Sequence, residues 1–600
     1  MYFEKGSMKE DLESEKLDDG IALGNQLAAA SISTRQSKEH VKYLGTSGPR
    51  LSFLIATAAG VGFVLFGYDQ GVMGSLLTLP SFLQKFPDMN GQVHSEIQGG
   101  VIGIYEIGCF LGAISCILWG NTLGRRAMIW IGSVFMTVGA VLQVIGVHIS
   151  LLWVGRIIAG IGNGQHTSTI PMWQSECSAP HIRGMLIMIE GMLIAFGIML
   201  SYWVDFALFF ADNSEEHHPL KDGFKAATSL DSVSWRFPLA FQIVLILPTF
   251  FTIWLPESPR WLMLVGREQE ARKVLSALNE KSTEDPNIDT IITEIKSSLE
   301  IANKSSKVSD LFKQGKSHNF HRTALAFVIQ MFQQISGINL ITYYAGTIFQ
   351  NNIGLKDIVA RILAACNGTE YFMASIIAIF TVERFGRRKL MIFGAIGMCF
   401  TMAVLTGLLS QAALKYDMVP LDEELCTKGV EVYCKLVPGE AKNKGYAYGA
   451  AVMLFVFNTF FAIGWLGMTW LYPAECTPLT IRAQANGIST SANWLFNFMV
   501  VMVTPVAFSN IRNYTYLIFC AINFLMAFAT WWIFPETAGR SLEEMDEIFA
   551  CSSAWNPHDV VRNEKSYPRR YDRHGTLKKE YILPLGQAGF AQSERIQEDA

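Results

Sequence analysis

Two groups of residues have the types and spacing for chemistry that needs no covalent bond. The first is a pair of opposite charges inside apolar runs, Asp69 in LFGYDQGVMG and Arg156 in LLWVGRIIAG. A lone charge at membrane depth costs about 2.5–3.5 kcal/mol on insertion scales, so it has a partner or a task. Arg156 is the obvious partner for Asp69. Paired, Asp69 is anionic; released into dry surroundings, it takes a proton. That is a proton switch tied to helix movement, and its alternative is a static ion pair. The second group is QMFQQISGINLITYY at 330–344, inside an apolar run from 324 to 349. It places Gln333, Gln334, Ser336, Asn339, Thr342, Tyr343 and Tyr344 at membrane depth. Such groups face a wet cavity or a bundle interior, because lipid cannot satisfy them. Uncharged amides and hydroxyls suit a neutral polyhydroxylated ligand. A polar contact between helices is the alternative.

These residues need long apolar helices to hold them. Half of the 600 residues are hydrophobic and only 17% are charged, against about a quarter in soluble proteins. The apolar residues come in blocks near 51–76, 98–118, 127–147, 151–173, 184–206 and 238–255. Six more lie near 324–349, 360–382, 389–411, 447–473, 484–508 and 514–534. The expectation is an all-α membrane protein with twelve transmembrane helices. A polar tail covers 1–50, a six-helix half 51–255, an amphipathic helical linker 256–321, a second half 322–534 and a second tail 535–600. Glu106, Glu190 and Glu370 are further carboxylates within spans, with no role assigned by spacing. No Cys or His spacing resembles a zinc or redox site, and no basic stripe points to nucleic acid. Cys426 and Cys434 share a polar loop and are either a disulfide or two thiols.

Basic residues set the orientation. Arg125, Arg126, His181, Arg183, the linker, Arg384 to Lys389 and Arg482 fall on one side, expected to be cytosolic together with both termini. The chain also repeats. GNTLGRR at 120–126 matches VERFGRR at 382–388, PMWQSECSAPHIRG at 171–184 matches LYPAECTPLTIRAQ at 471–484, and PESPR at 256–260 matches PETAGR at 535–540. Three matches in one order imply two parallel six-helix halves. The repeated charges, Arg125, Arg126, Glu176 and Arg183 with Glu383, Arg387, Glu475 and Arg482, are expected to form a cytosolic gate. Together they can bias a two-state equilibrium; the alternative is that they only anchor topology.

At this point residues 51–550 resemble the sugar porters of the major facilitator superfamily. FGYDQGVMG at 66–74, GRIIAGIGNG at 155–164, PESPRWL at 256–262, QQISGIN at 333–339 and PETAGRSLEE at 535–544 look like its signatures. IGNGQHTSTIPMWQSE and SANWLFNFMVVMVTPVAF look like its fungal proton-coupled branch, which includes hexose, pentose and glycerol carriers. The resemblance implies a ligand site between the halves. Gln333, Gln334 and Asn339 would bond substrate hydroxyls, with Tyr343 or Tyr344 gating from outside. Trp470 would pack on the C–H face of a sugar, unless it is an interfacial tryptophan. Asn493 and Asn497 match polar positions of the eleventh helix. An aspartate at position 69 accompanies proton symport in the family. Two departures stand out. Gly191, beside Glu190, replaces a common glutamine, and Ala462 replaces a glutamate found in many facilitators.

The expectation is therefore a proton-coupled symporter importing a monosaccharide across the plasma membrane by alternating access. It is not an enzyme and needs no metal or cofactor. Its partners are a small neutral polyhydroxylated solute, a proton and the bilayer, with the protein a monomer. A glycerol or polyol symporter is the nearest rival, and a transporter-like nutrient sensor is the rival from another class.

Overall fold

The computed structural model describes residues 41–568 apart from 179–182, 211–230, 305–307, 316, 413, 421–433, 479, 541 and 554–555. Its long helices, numbered in chain order, are α1 Gly48–Leu76, α2 Ser95–Leu123, α3 Arg125–Ile145, α4 Ile149–Cys177, α5 Arg183–Phe209 and α6 Asp231–Phe250. The second set is α7 Asn319–Asn352, α8 Asp357–Phe385, α9 Arg387–Ala412, α10 Lys444–Cys476, α11 Arg482–Ile511 and α12 Tyr514–Ile533. Eleven of these segments are long and apolar enough to cross a membrane.

The twelfth, α4, falls short of that measure because it is polar. It buries Arg156, Asn163, Gln165, His166, Thr167 and Thr169. It packs between α2 and α3, and its polar atoms bond to them. Gln165 Nε2 donates to Ser115 Oγ at 2.9 Å, and the His166 ring lies 2.9 Å from the Ile129 carbonyl. Protein surroundings thus replace water for these groups.

Small residues make that packing close. A Cβ added at Gly164 would lie 2.0 Å from the Cys109 carbonyl oxygen, and one at Gly160 would lie 2.2 Å from that of Tyr105. These backbone atoms cannot turn aside as a side chain would. Gly164→Val is therefore expected to block folding, read as surface-labelled protein falling below about a tenth of wild type. Normal surface levels would show that α2 and α4 have room to separate.

The internal repeat is visible in the backbone. Gly124 joins α2 to α3 with φ 92° and ψ 169°, and Gly386 joins α8 to α9 with φ 89° and ψ 161°. Both sit in the left-handed half of conformational space that favours glycine. The next residue is an arginine each time, and each arginine finds a glutamate on another helix of its own half. Arg125 bonds Glu176 at 3.1 Å, and Arg387 bonds Glu475 at 2.8 Å.

By contacts the chain forms two units. Among the described residues, one gathers 41–55 with Trp254–Glu300; the other holds Ala56–Ile253 and 301–568. In the first, helix Glu268–Asn279 buries Ala271, Val274 and Leu275, one face at helical spacing. Trp261 and Leu262 cover that face, and Ile288 and Ile292 of helix Pro286–Lys304 pack on Leu275. Arg272 and Glu268 pair on the opposite, wet face. In the second unit, a short antiparallel ribbon of Leu414–Pro420 and Cys434–Ala441 joins α9 to α10, and the all-α class holds. Cys426, and the side chain of Cys434, lie outside the described residues, as do both distal tails.

Candidate functional site

The polar stretch of α7 is not a continuous helix. Gly337 adopts φ 104°, and the turn Gln334–Ile338 is widened to a π turn. A second irregularity falls at Tyr344, with φ −125° and ψ 21°. A Cβ at Gly337 would be strained by that φ and would lie 3.1 Å from both Met402 and Phe519. The widened turn lets amide side chains converge instead of spiralling apart.

They converge on Gln333. Its Nε2 donates to the carbonyls of Trp465 and Leu466 at 3.5 and 3.3 Å, within a matching π turn of α10 at Ala462–Leu466. Its Oε1 accepts from Gln334 at 3.2 Å and from Asn493 of α11 at 3.1 Å. Gln334 in turn accepts from Asn339, and Asn493 also donates to Gln330 at 2.6 Å. Gln330 holds the Thr469 carbonyl at 3.0 Å. All of these side chains are buried. The result is an uncharged network of donors and acceptors drawn from α7, α10 and α11. Trp470 is half-buried beside Thr469. Asn497 is fully buried one turn along α11 from Asn493 and faces Glu106.

The charged pair lies in the other half. Arg156 Nη1 donates to Asp69 Oδ1 at 3.2 Å, and neither side chain has any exposure. Gln242 Nε2 of α6 donates to the same oxygen at 3.0 Å. Oδ2 has no hydrogen-bond partner among the described residues. The Arg156 guanidinium also lies 4.5 Å over the Tyr105 ring.

Polar bonds tie the two halves together at the end that holds Ser75, Ser95 and Ser509. Tyr343 donates its hydroxyl to Glu106 of α2, and Tyr202 of α5 donates to the Thr342 carbonyl. Arg361 of α8 donates to the carbonyls of Ser75 and Thr78 at 3.2 and 2.9 Å. Tyr344 stays within its own half, donating to the Val501 carbonyl at 2.8 Å.

At the opposite end the repeated charges bond within halves. Besides the two pairs above, Glu475 accepts from Thr537 at 2.6 Å, and Glu536 accepts from the backbone N–H groups of Arg387 and Arg388 at 2.8 and 3.2 Å. Arg482 donates to the Thr477 carbonyl at 2.9 Å, and Arg126 donates to the Ile253 carbonyl. In these bonds the charges join helices of one half. The side chains of Arg183 and Glu383 lie outside the described residues, as does His181.

Three polar partners were not apparent from the sequence. Gln330 stands one helical turn before Gln333, a spacing that could have exposed it. Gln242 is a lone amide in an apolar run, a weaker signal of the same kind. The bond between Glu106 and Tyr343 joins residues 237 apart and has no local signature. Of the departures, Gly191 abuts Gly467: a Cβ there would lie 3.5 Å from the Gly467 Cα. Ala462 is buried at the start of the α10 π turn.

The Sugar (and other) transporter family model matches residues 54–549. The chain is 36% identical over 520 residues to "Sugar transporter STL1" of Saccharomyces cerevisiae, covering 84% of this chain and 82% of that one. It is 30% identical to "Hexose transporter 2" of Kluyveromyces lactis over 84% and 85% of the two chains. Among solved structures, the proton:xylose symporter XylE of the major facilitator superfamily superposes with a TM-score of 0.65 at 25% identity. That match covers 83% of this chain and 99% of XylE. The chain is thus a multi-pass membrane transporter, not an enzyme, and it belongs to the sugar transporter family of the major facilitator superfamily.

Proposed function

We propose that the protein is a proton-coupled symporter that imports a monosaccharide by alternating access. The carrying observation is the dry Asp69–Arg156 pair, with 0% exposure on both sides and one carboxylate oxygen unpartnered. An ion pair so placed is costly to desolvate and is kept where its charge state does something. Solute hydroxyls would exchange with the amide bonds of Gln333, Gln334, Asn339 and Asn493, with Asn497 and Trp470 nearby and Tyr343 and Tyr344 closing the outer side. The relatives support the reading: one is a hexose transporter and a solved neighbour is a proton:xylose symporter. A second reading, a glycerol or polyol symporter, is favoured by Gly191 and Ala462, which remove polar contacts from two walls of the site.

The halves would be 51–255 and 322–534, linked by 256–321. Clustering of Arg125, Arg126, Arg387, Arg388, Lys389 and Arg482 at helix ends supports a cytosolic position for that side and for both termini. The end closed by Tyr343 and Arg361 is then the outer one, and the arginine–glutamate ends form the cytosolic gate. We place the protein in the plasma membrane as a monomer.

Extracellular pH is the test. Transporter-null cells expressing the chain are pulsed with glucose, xylose, galactose and glycerol in weak buffer. Alkalinisation is expected with at least one solute, and the responding solute names the substrate class. Silence from all four, with protein at the surface and labelled solute entering, would leave a facilitator. Silence with no uptake would favour a sensor.

A further inference from the structure

Glu106 is a second buried acid, on α2, that the Asp69 switch does not use. It has 0% exposure. Tyr343 of the other half donates to its Oε1, while Oε2 has no hydrogen-bond partner among the described residues. The groups facing it are known. Asp69 of α1 and Arg156 of α4 are already paired with each other. Tyr105 and Cys109 lie on its own helix, Tyr343 on α7, and the Asn497 amide on α11. No cation is hydrogen-bonded to it among the described residues. An ionised carboxylate here would keep one oxygen dry and unbalanced, at a cost of several kcal/mol. A neutral carboxyl accepts from Tyr343 at one oxygen and carries its proton on the other.

The bond lies in the layer that joins the halves at their outer end. Tyr343 reaches Glu106 only while the outer segment of α7 stands against α2. In a state with the halves parted there, Tyr343 would withdraw and water would reach the carboxyl. In water a glutamate has a pKa of about 4.3 and is therefore ionised at neutral pH. Asp205, also buried in this layer, has Arg361 within reach as Glu106 has Arg156. It differs because neither of its oxygens has a hydrogen-bond partner among the described residues, so no tyrosine of the other half closes on it.

We propose that Glu106 is a proton-operated latch: it takes a proton from the outer medium as Tyr343 closes onto it, and returns it to that side on opening. The carboxylate gains one proton and later loses it, so no net proton crosses the membrane by this route. The latch sets how outer pH governs closure, while Asp69 sets the coupling. It rests on the reading of the chain as a carrier with that end outermost, but not on coupling at Asp69.

Solute exchange separates the two. Transporter-null cells are preloaded with unlabelled glucose, xylose or glycerol and given the same labelled solute outside. Exchange needs closing and opening at the outer end but no net proton movement. Between outer pH of about 5 and about 7.5, exchange is expected to fall at least about tenfold in wild type and in Asp69→Asn. In Glu106→Gln, which keeps an acceptor for Tyr343 but cannot ionise, the fall is expected to be under about twofold. A wild-type fall in Glu106→Gln overturns the latch. Absence of exchange of every solute by wild type at the surface overturns the carrier reading instead. If Glu106→Gln does not reach the surface, purified Asp69→Asn is mixed with the same solutes in unbuffered detergent solution near pH 7.5. Uptake of about one proton per chain is expected, and no uptake overturns the latch.

Discussion

Asp69→Asn is expected to abolish accumulation against a gradient while exchange of solute persists. A proton crossing 100 mV supplies about 2.3 kcal/mol. At about 1.4 kcal/mol per decade, that sustains roughly forty-fold accumulation of a neutral solute. In the variant the inside-to-outside ratio is expected to fall to about one, and solute-induced alkalinisation to vanish. Asparagine keeps an oxygen for the Arg156 and Gln242 donors, which reach Asp69 Oδ1 at 3.2 and 3.0 Å, so the packing of α1, α4 and α6 is retained. What it loses is the ability to exchange a proton when the pair separates. Accumulation by the variant equal to wild type would sink the coupling role of Asp69. Measuring the ratio and the external pH in the same cells removes differences in expression from the comparison.

The geometry around Asp69 was legible because a charge in an apolar run stands out, and only Arg156 offered a buried cation nearby in the first half. The helical class and the repeat were legible for a similar reason, since block length and repeated motifs survive without tertiary information. What could not be read depends on how helices lie against one another. The repeats align Glu176 with Glu475, but their arginine partners stand 51 and 88 residues away in the same half, at the start of α3 and α9. Gln242 meets Asp69 from 173 residues away. α4 is one of the twelve expected spans, from its apolar block at 151–173, but how α2 and α3 satisfy its polar groups was not legible there. The break at Gly337 was visible only as a glycine; its φ of 104°, and the Met402 and Phe519 side chains that a Cβ there would meet, appear only in the fold. The same glycine makes the cluster possible, for a regular helix would send Gln333, Gln334 and Asn339 in different directions.

Gln333→Ala is expected to raise the KM for solute about ten- to hundred-fold with little change in surface level. Gln333 occupies the centre of the network: it donates to the carbonyls of Trp465 and Leu466 and accepts from Gln334 and Asn493. Losing one buried hydrogen-bonding group costs about 1–3 kcal/mol, because its former partners stay desolvated. In a rigid core that cost would fall on folding. Here the neighbours have substitutes: Asn493 keeps Gln330 at 2.6 Å, and Gln334 keeps Asn339. The loss therefore falls on the bound state, where a solute hydroxyl needs the amide that alanine lacks. The concentration dependence of labelled uptake, with surface protein measured in parallel, reads this directly. An unchanged KM would remove Gln333 from the binding site and leave it as a tie between α7, α10 and α11. A raised KM together with an unchanged accumulation ratio would place recognition in the second half and coupling in the first, joined by the movement that brings Tyr343 to Glu106.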